Sequence, residues 1–532
     1  MEQYFSANTL FFYKEQVRDF SQFLQDVFCF SQNITEESLE IFLEDTYHFL
    51  VAFFGSLLAK KMVYVLPSPI CKPQYFLVNE ENYHTFLKKQ NSIEVVKKHL
   101  DIKSRFVIQT SGSSGERKNI CKTLGQMIAE AQFLQKYFSC NSDSLFISSV
   151  SHQHLFGMTF KVFVALISGG KIYCKNLNYP EILFDFLKDS QSKNIIFLSS
   201  PVLLSSLSKQ ENLQVLNKIT KIFTAGSKLD TQVHKILKEK TDIEIVEIYG
   251  STETGVIAKN LGSRFEIFPH VMAMTDINKR LIVESPWTDG RELCNDCVEI
   301  DGKYLSIVGR FDRIIKFHDR RIGLDSIEKI LKKHVLIADA VVCKEERYKH
   351  LSAVIVLSKE GKEFFRKQGR KGVIKILSDV LKEEYGSKLR YFYIRSYLPY
   401  NAQGKLPKKD LLEIIEARIE PIFDLQIHQA DYLKLRAYID EGCFYFNGHF
   451  SNFPLVPGFV ELGYIFLALE NYFGIRYERV QQIEHVKFIY FLQPCDILEM
   501  EIKIQENNKV VFKLFASGKE CANGRLRILE GI

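Results

Sequence analysis

Nine residues, Thr110-Ser111-Gly112-Ser113-Ser114-Gly115-Glu116-Arg117-Lys118, bring together two glycines, four hydroxyls and a lysine. Glycine lets backbone N–H groups converge on one point, hydroxyls add neutral donors, and an ammonium supplies mobile charge, so the stretch is an anion cradle suited to polyphosphate. The spacing is not that of G-x-x-x-x-G-K-[ST], because Arg117 stands five residues after Gly112, and no G-x-G-x-x-G lies near. Taken alone, a Ser/Gly-rich stretch is as readily a flexible turn. A second set, Tyr249-Gly250-Ser251-Thr252-Glu253-Thr254-Gly255, is sharper. A ring suits a flat base, a glycine permits close backbone approach, a hydroxyl can reach a phosphate, and a carboxylate can hold Mg²⁺ against phosphate oxygens. Ser151-His152-Gln153-His154-Leu155-Phe156-Gly157 and Ala225-Gly226-Ser227 are two further sets. A lone histidine such as His154 is more often a satisfied structural residue than a catalyst.

These residues need strands and helices to hold them. The apolar run Phe106-Val107-Ile108 precedes the first set, and a helical pattern begins near Thr123, which places the set in a loop between a buried strand and a helix. Thr123 and Gln126 have capping-box spacing, and Met127, Ala131, Leu134 and Phe138 recur at helical intervals. Strand candidates recur at 145–150, 194–198, 221–224 and 243–248, separated by helical patterns. That rhythm predicts a mostly parallel sheet with crossover helices, and sites at strand ends. Residues 1–105 read as the first layer of a large α/β domain.

The chain has 532 residues, 46% apolar and 25% charged, enough for three or four globular domains. Its most apolar window, 49–59, is too short to span a bilayer and ends at Lys60-Lys61, so it reads as a buried helix, with no transmembrane segment expected. Eleven scattered cysteines without a Cys/His cluster at zinc spacing read as reduced thiols in a cytoplasm. Net charge is +6, yet residues 310–410 hold 25 Lys+Arg against 13 Asp+Glu, giving +12 locally and −6 elsewhere. Lysines there mix with acids and apolar runs and form no nucleic-acid motif, so an acidic protein or a phosphorylated substrate fits better than nucleic acid.

With these sets in order, the chain from about residue 100 to 412 resembles the adenylate-forming superfamily of acyl-CoA synthetases, luciferases and peptide-synthetase adenylation domains. The Ser/Thr/Gly loop with its lysine matches Thr110 to Lys118, and Tyr-Gly-x-Thr-Glu matches Tyr249 to Glu253. The ribose-binding Thr-Gly-Asp aligns with Cys294-Asn295-Asp296, the hinge motif with Gly309-Arg310-Phe311-Asp312 through Lys316 to Arg321-Ile322, and the terminal Gly-Lys with Gly404-Lys405. Arg117 and Asn119 replace the usual Pro and Gly beside the loop lysine, and Asp319 replaces a hinge-motif glycine. No charged catalytic group is lost. The loop also comes unusually early, which predicts a short N-terminal domain.

The resemblance implies chemistry. A carboxylate attacks the α-phosphate of ATP to give an acyl-adenylate, and a phosphopantetheine thiol of an acyl carrier protein or CoA then displaces AMP. Lys405 is the expected bridging cation, Glu253 the Mg²⁺ ligand, Thr252 the α-phosphate contact, Tyr249 the adenine platform, Asp296 and Arg310 the ribose clamp. Thr110 to Gly115, Lys118, Gly226 and Gly250 belong to the nucleotide site and His154 to the acid pocket. The small domain is expected to rotate about Asp312 between the two steps.

After Lys405 such an enzyme should soon end, yet another domain-sized stretch follows Pro421. Alternation at 432–439, 496–504 and 509–515 predicts antiparallel strands, and 460–473 an apolar helix. Phe446-Asn447-Gly448-His449-Phe450-Ser451-Asn452-Phe453-Pro454-Leu455-Val456-Pro457-Gly458 resembles the active-site stretch of hotdog-fold 3-hydroxyacyl-carrier-protein dehydratases, including a subgroup found with aryl-polyene biosynthesis. His449 matches their base. Those enzymes place an acid fourteen residues later, where this chain has Gly463; Glu461 lies two residues earlier, on roughly the opposite helical face. Either a local irregularity re-aims Glu461, the proton comes from elsewhere, or the domain is an acyl-binding or dimerising module. Hotdog sheets commonly pair, so the resemblance implies a homodimer. The expected division is a large α/β domain at 1–309, a small α+β hinged domain at 310–412 and an α+β hotdog domain at 425–532.

Overall fold

The computed structural model describes every residue except 14–15, 70–72, 88–98, 112–116, 263, 318–319, 346–349, 386–388, 401–405, 448–451, 507 and 530–532. The chain divides into two compact units, Met1–Asp312 with Tyr400–Lys408, and Arg313–Pro399 with Lys409–Ile532.

In the first unit, five strands run parallel side by side in the order Lys171–Asn176, Leu145–Ser148, Ile195–Ser199, Ile219–Thr224, Glu244–Ser251. Four of them are the apolar runs expected from the sequence, as strands covered on both faces require, whereas Lys171–Asn176, with lysines at 171 and 175, was not among them. Beyond Glu244–Ser251 the sheet becomes antiparallel, through Gly255–Asn260 and Phe265–Ile267 to Tyr304–Arg310 and Glu292–Asp301. A five-stranded sheet contains Arg105–Ser111 and Arg117–Thr123. The helix Thr46–Leu58 is buried nearly all round, as its apolar sequence dictates, and Asp45 caps it by accepting from the N–H groups of Tyr47 and His48. Among the described residues no helix is long and apolar enough to cross a membrane.

One expectation fails here. Residues 117–123 are a strand, paired antiparallel with Arg105–Ser111 so that Ser111 faces Arg117 and Thr110 faces Lys118. A strand therefore stands between the Ser/Gly stretch and the helix. The helix Leu124–Tyr137 starts one residue after the hairpin, with the capping box of Thr123 and Gln126 formed in both directions. The strand was disguised by its inward residues, Ile120 and Lys122, one of which is charged.

The second unit holds two sheets. Ile337–Glu345, His350–Leu357 and Leu389–Ile394 form a three-stranded sheet flanked by the helices Leu324–Lys333 and Lys359–Tyr385. A six-stranded sheet, in the order Phe423–His428, Tyr432–Tyr438, Ile497–Gln505, Lys509–Ala516, Lys519–Ile528, Val480–Phe488, packs on the helix Gly458–Phe473, the expected hotdog arrangement. One apolar core runs through both, joining Leu331, Phe365 and Phe392 to Leu433, Ile465 and Phe512. Polar clamps reinforce it. Arg366 donates to the Pro494 carbonyl at 2.6 Å, to Asp496 at 2.9 Å and to Gln493 at 3.2 Å, while Lys362 pairs with the buried Glu441 at 2.8 Å.

Candidate active site

The strand Glu244–Ser251 carries the second motif to its end. The Tyr249 hydroxyl donates to Asp296 at 2.6 Å, and Asp296 sits opposite Arg310 in the register of the next two antiparallel strands. Arg310 in turn donates twice to Asp312, at 2.9 and 2.7 Å. Burial, then the neighbouring Asp296 charge, drives the Tyr249 phenol far above its usual range, so it stays a donor. Four residues drawn from three separate motifs thus lie side by side, two hydrogen-bonded pairs brought together by the strand register.

Ser251 and Thr254 close a tight turn around Thr252 and Glu253, each hydroxyl accepting from the other residue's N–H at 3.2 Å. A Cβ at Gly250 would collide with the Gly255 carbonyl, and Gly255 has φ +67°, so glycine at both places lets the turn fold on itself. The Glu253 carboxylate forms an ion pair with Lys118, joining the lysine of the first motif to the acid of the second. Burial alone would raise the Glu253 carboxyl, but Lys118 and local hydrogen bonds outweigh it and hold it below the usual range. Gly226 follows its strand with φ +95° and open space beside its Cα.

Two residues that the sequence did not flag support this turn from behind. Lys122 donates to the Glu253 carbonyl at 2.7 Å, and Glu130 accepts from the Val256 N–H at 2.6 Å and from the Thr159 hydroxyl at 3.1 Å. Burial dominates both groups, lowering the ammonium and raising the carboxyl, while each opposes that effect in the other. The only sequence signal was a lysine where strand alternation calls for an inward residue.

The histidines separate. His152 is fully buried, its ring nitrogens 3.0 Å from the Leu43 carbonyl and 3.1 Å from the Thr46 hydroxyl, and burial lowers its pKa to about 3, so it is a structural residue. His154, half-buried, stands at the N-cap of the short turn Leu155–Gly157, beyond the end of the strand Leu145–Ser148. Cys294 and Cys297 on the Asp296 strand have C-x-x-C spacing and form no disulfide. Ser111 is placed by its backbone alone, and Gly112, Ser113, Ser114, Gly115, Lys405 and His449 lie outside the described residues.

In the hotdog part, Gly458–Phe473 is one uninterrupted helix, so no irregularity re-aims Glu461. Glu461 is 3% exposed, on the inward face with Tyr464 and Ile465, whereas Gly463 is exposed and a Cβ there would meet nothing within 4 Å. Among the described residues neither Glu461 Oε2 nor the Tyr464 hydroxyl, both buried, has a hydrogen-bond partner, and burial pushes the Glu461 carboxyl up to about 8.

Residues 81–280 match the family model of AMP-binding enzymes, and residues 426–525 that of the ApeI dehydratase. Among solved structures, the O-succinylbenzoate coenzyme A synthetase of Bacillus subtilis in complex with AMP shares the fold at a TM-score of 0.63 and 16% identity, covering 77% of this chain and 96% of its own. ATP-bound MatB of Rhodopseudomonas palustris does so at a TM-score of 0.63 and 14% identity, covering 77% of this chain and 96% of its own. The fold is that of adenylate-forming ligases, and the AMP-binding match covers the strands that carry the Tyr249–Glu253 turn. A D-alanine–D-alanyl carrier protein ligase of Bacillus licheniformis is 22% identical over 368 residues, 58% of this chain and 70% of that protein. The chain thus carries an AMP-binding segment followed by an ApeI-like dehydratase segment, and its relatives include carrier-protein ligases.

Proposed function

We propose that residues 1–309 and the hinged domain 310–412 convert a carboxylic acid and ATP to an acyl-adenylate and pass the acyl group to the phosphopantetheine thiol of a carrier protein in the cytoplasm. The observation that carries this reading is the linkage of Lys118 to Glu253 and of Tyr249 through Asp296 to Arg310. An ionised carboxylate beside a phosphate-binding lysine is a hard oxygen donor of the kind Mg²⁺ takes, so Glu253 fits as its ligand. When bound, Mg²⁺ neutralises phosphate charge. Tyr249 offers its ring to the base, Asp296 and Arg310 hold the ribose, and Thr252 donates to the α-phosphate. Lys405 draws the carboxylate oxygen and α-phosphorus together; the new P–O bond forms as pyrophosphate leaves. The thiol then attacks the acyl carbonyl and AMP departs.

The acceptor follows from the carrier-protein ligases among the relatives more than from the basic segment. Several of its cations are engaged within their own unit: Lys362 with Glu441, Arg366 with Asp496, Arg313 with Asp325, Lys332 with Asp339. Lys367, before a kink at Gly369, and Lys371, Lys375 and Lys382 after it remain exposed for an acidic partner. The ApeI-like domain, 425–532, removes water from a 3-hydroxyacyl thioester: His449 takes the proton next to the thioester, and hydroxide leaves with a proton from an acid, for which Glu461 is the buried neutral candidate. The edge strand Val480–Phe488 is free to pair with a second copy.

The deciding assay is acid-dependent exchange of pyrophosphate into ATP across aryl and fatty acids. Exchange is expected; none with any acid, in a folded protein, would leave a binding-only scaffold. Loading of carrier protein should exceed that of CoA and fall with salt.

A further inference from the structure

Lys122 is 3% exposed and Glu130 2%, yet neither belongs to a motif that binds nucleotide. Lys122 projects inward from the hairpin strand Arg117–Thr123, Glu130 from the helix Leu124–Tyr137 that follows it. Together they grip the 252–255 turn at both ends. The ammonium donates to the Glu253 carbonyl at 2.7 Å and reaches the Trp287 carbonyl at 3.4 Å. The Glu130 carboxylate accepts from the Val256 N–H at 2.6 Å, and the Trp287 indole N–H donates to the Val256 carbonyl at 3.1 Å. A Cβ at Gly255 would collide with Glu130 and stand 2.6 Å from the Trp287 ring, so the turn is seated directly against this support. Stability alone is a poor reason for such a pair, because apolar residues of similar volume usually do as well in a buried site. Direction is what two opposite buried charges add: Lys122 fixes the backbone carbonyl of Glu253, the residue whose carboxylate meets Lys118, and Glu130 fixes the N–H of Val256.

We propose that Lys122 and Glu130 are positioning residues for adenylation, holding the Thr252–Glu253 turn so that its hydroxyl and carboxylate are aimed at the phosphates and their metal ion. The inference rests on the adenylation reading. Its test is pyrophosphate–ATP exchange by the full-length protein, titrated separately with Mg²⁺, MgATP and acid, for wild type and for Lys122→Met, Lys122→Arg and Glu130→Gln.

Loss of aim should raise the half-maximal Mg²⁺ concentration and the KM for MgATP about tenfold or more in Lys122→Met, the range typical of residues that orient a metal ligand. The KM for acid should stay near wild type, and Lys122→Arg, which keeps a charged donor, should recover part of the loss. Folded variants whose kcat falls while the Mg²⁺ and MgATP dependences stay put would overturn the proposal and leave a structural pair. If Lys122→Met does not fold, Lys122→Arg and Glu130→Gln decide it by the same readout, unchanged dependences again counting against. Wild type without exchange removes the adenylation reading and the proposal with it, whereas wild-type exchange with unmoved variants removes the positioning role alone.

Discussion

Glu461 is a carboxyl that stays protonated where its unfolded counterpart would ionise. Its native pKa of about 8 lies above the unfolded value, so the native state holds the extra proton. Below the unfolded pKa both states are protonated and there is no difference; as pH rises toward about 8 the unfolded state ionises first and stability is lost, by on the order of a few kcal/mol. Glu461→Gln, neutral at every pH, should therefore melt above wild type at pH 8 by a margin that shrinks toward pH 5. A margin independent of pH would show that the carboxyl is not held neutral. If Glu461 is also the acid, the same substitution should nearly abolish interconversion of 3-hydroxyacyl and enoyl carrier protein without touching adenylation. Residue types at motif spacing were legible in sequence because chemistry restricts them: Tyr249, Asp296 and Arg310, picked out there, are neighbours in the fold. Lys122 was not legible, because a buried lysine and a solvated one look alike until the strand beneath is known.

At the level of elements, apolar runs announced four of the parallel strands but not Lys171–Asn176, and the Thr123 capping box announced the start of its helix. The hairpin Arg105–Ser111/Arg117–Thr123 stayed hidden because Lys118, Asn119, Cys121 and Lys122 dilute its alternation. The 252–255 turn gives a stability test. Gly255→Ala meets both a left-handed φ and a filled neighbourhood, whereas Gly226→Ala meets only the φ. Backbone strain costs about 1–2 kcal/mol in each, and the collision adds to it at Gly255 alone. Denaturant melts should rank the two in that order; equal losses would mean the turn yields freely. On the helix Gly458–Phe473, Gly463→Asp points into open space and should fold like wild type. A gain in dehydration rate would place the proton donor on the outer face, and an unchanged rate would leave it inside with Glu461.

The whole molecule departs most from a string of modules. Three parts were read from the sequence, but the apolar core and the Arg366 and Lys362 clamps tie residues 313–399 to the six-stranded sheet. That interface was illegible because Phe365 and Arg366 read as an ordinary face of an amphipathic helix, and only the folded partner tells which face is covered. Arg366→Ala would strand the buried Asp496 carboxylate and should cost about 3 kcal/mol or more. Fluorescent probes in residues 313–399 and in 425–532 should then report one shared, lowered unfolding transition; separate transitions would mean two independent folding units. The connector at residues 417–422 has no regular structure and is mostly exposed. A protease that cuts there severs the backbone without dissolving the core on either side of the cut, so the nicked protein should elute as a single particle and fall into two fragments only in denaturant.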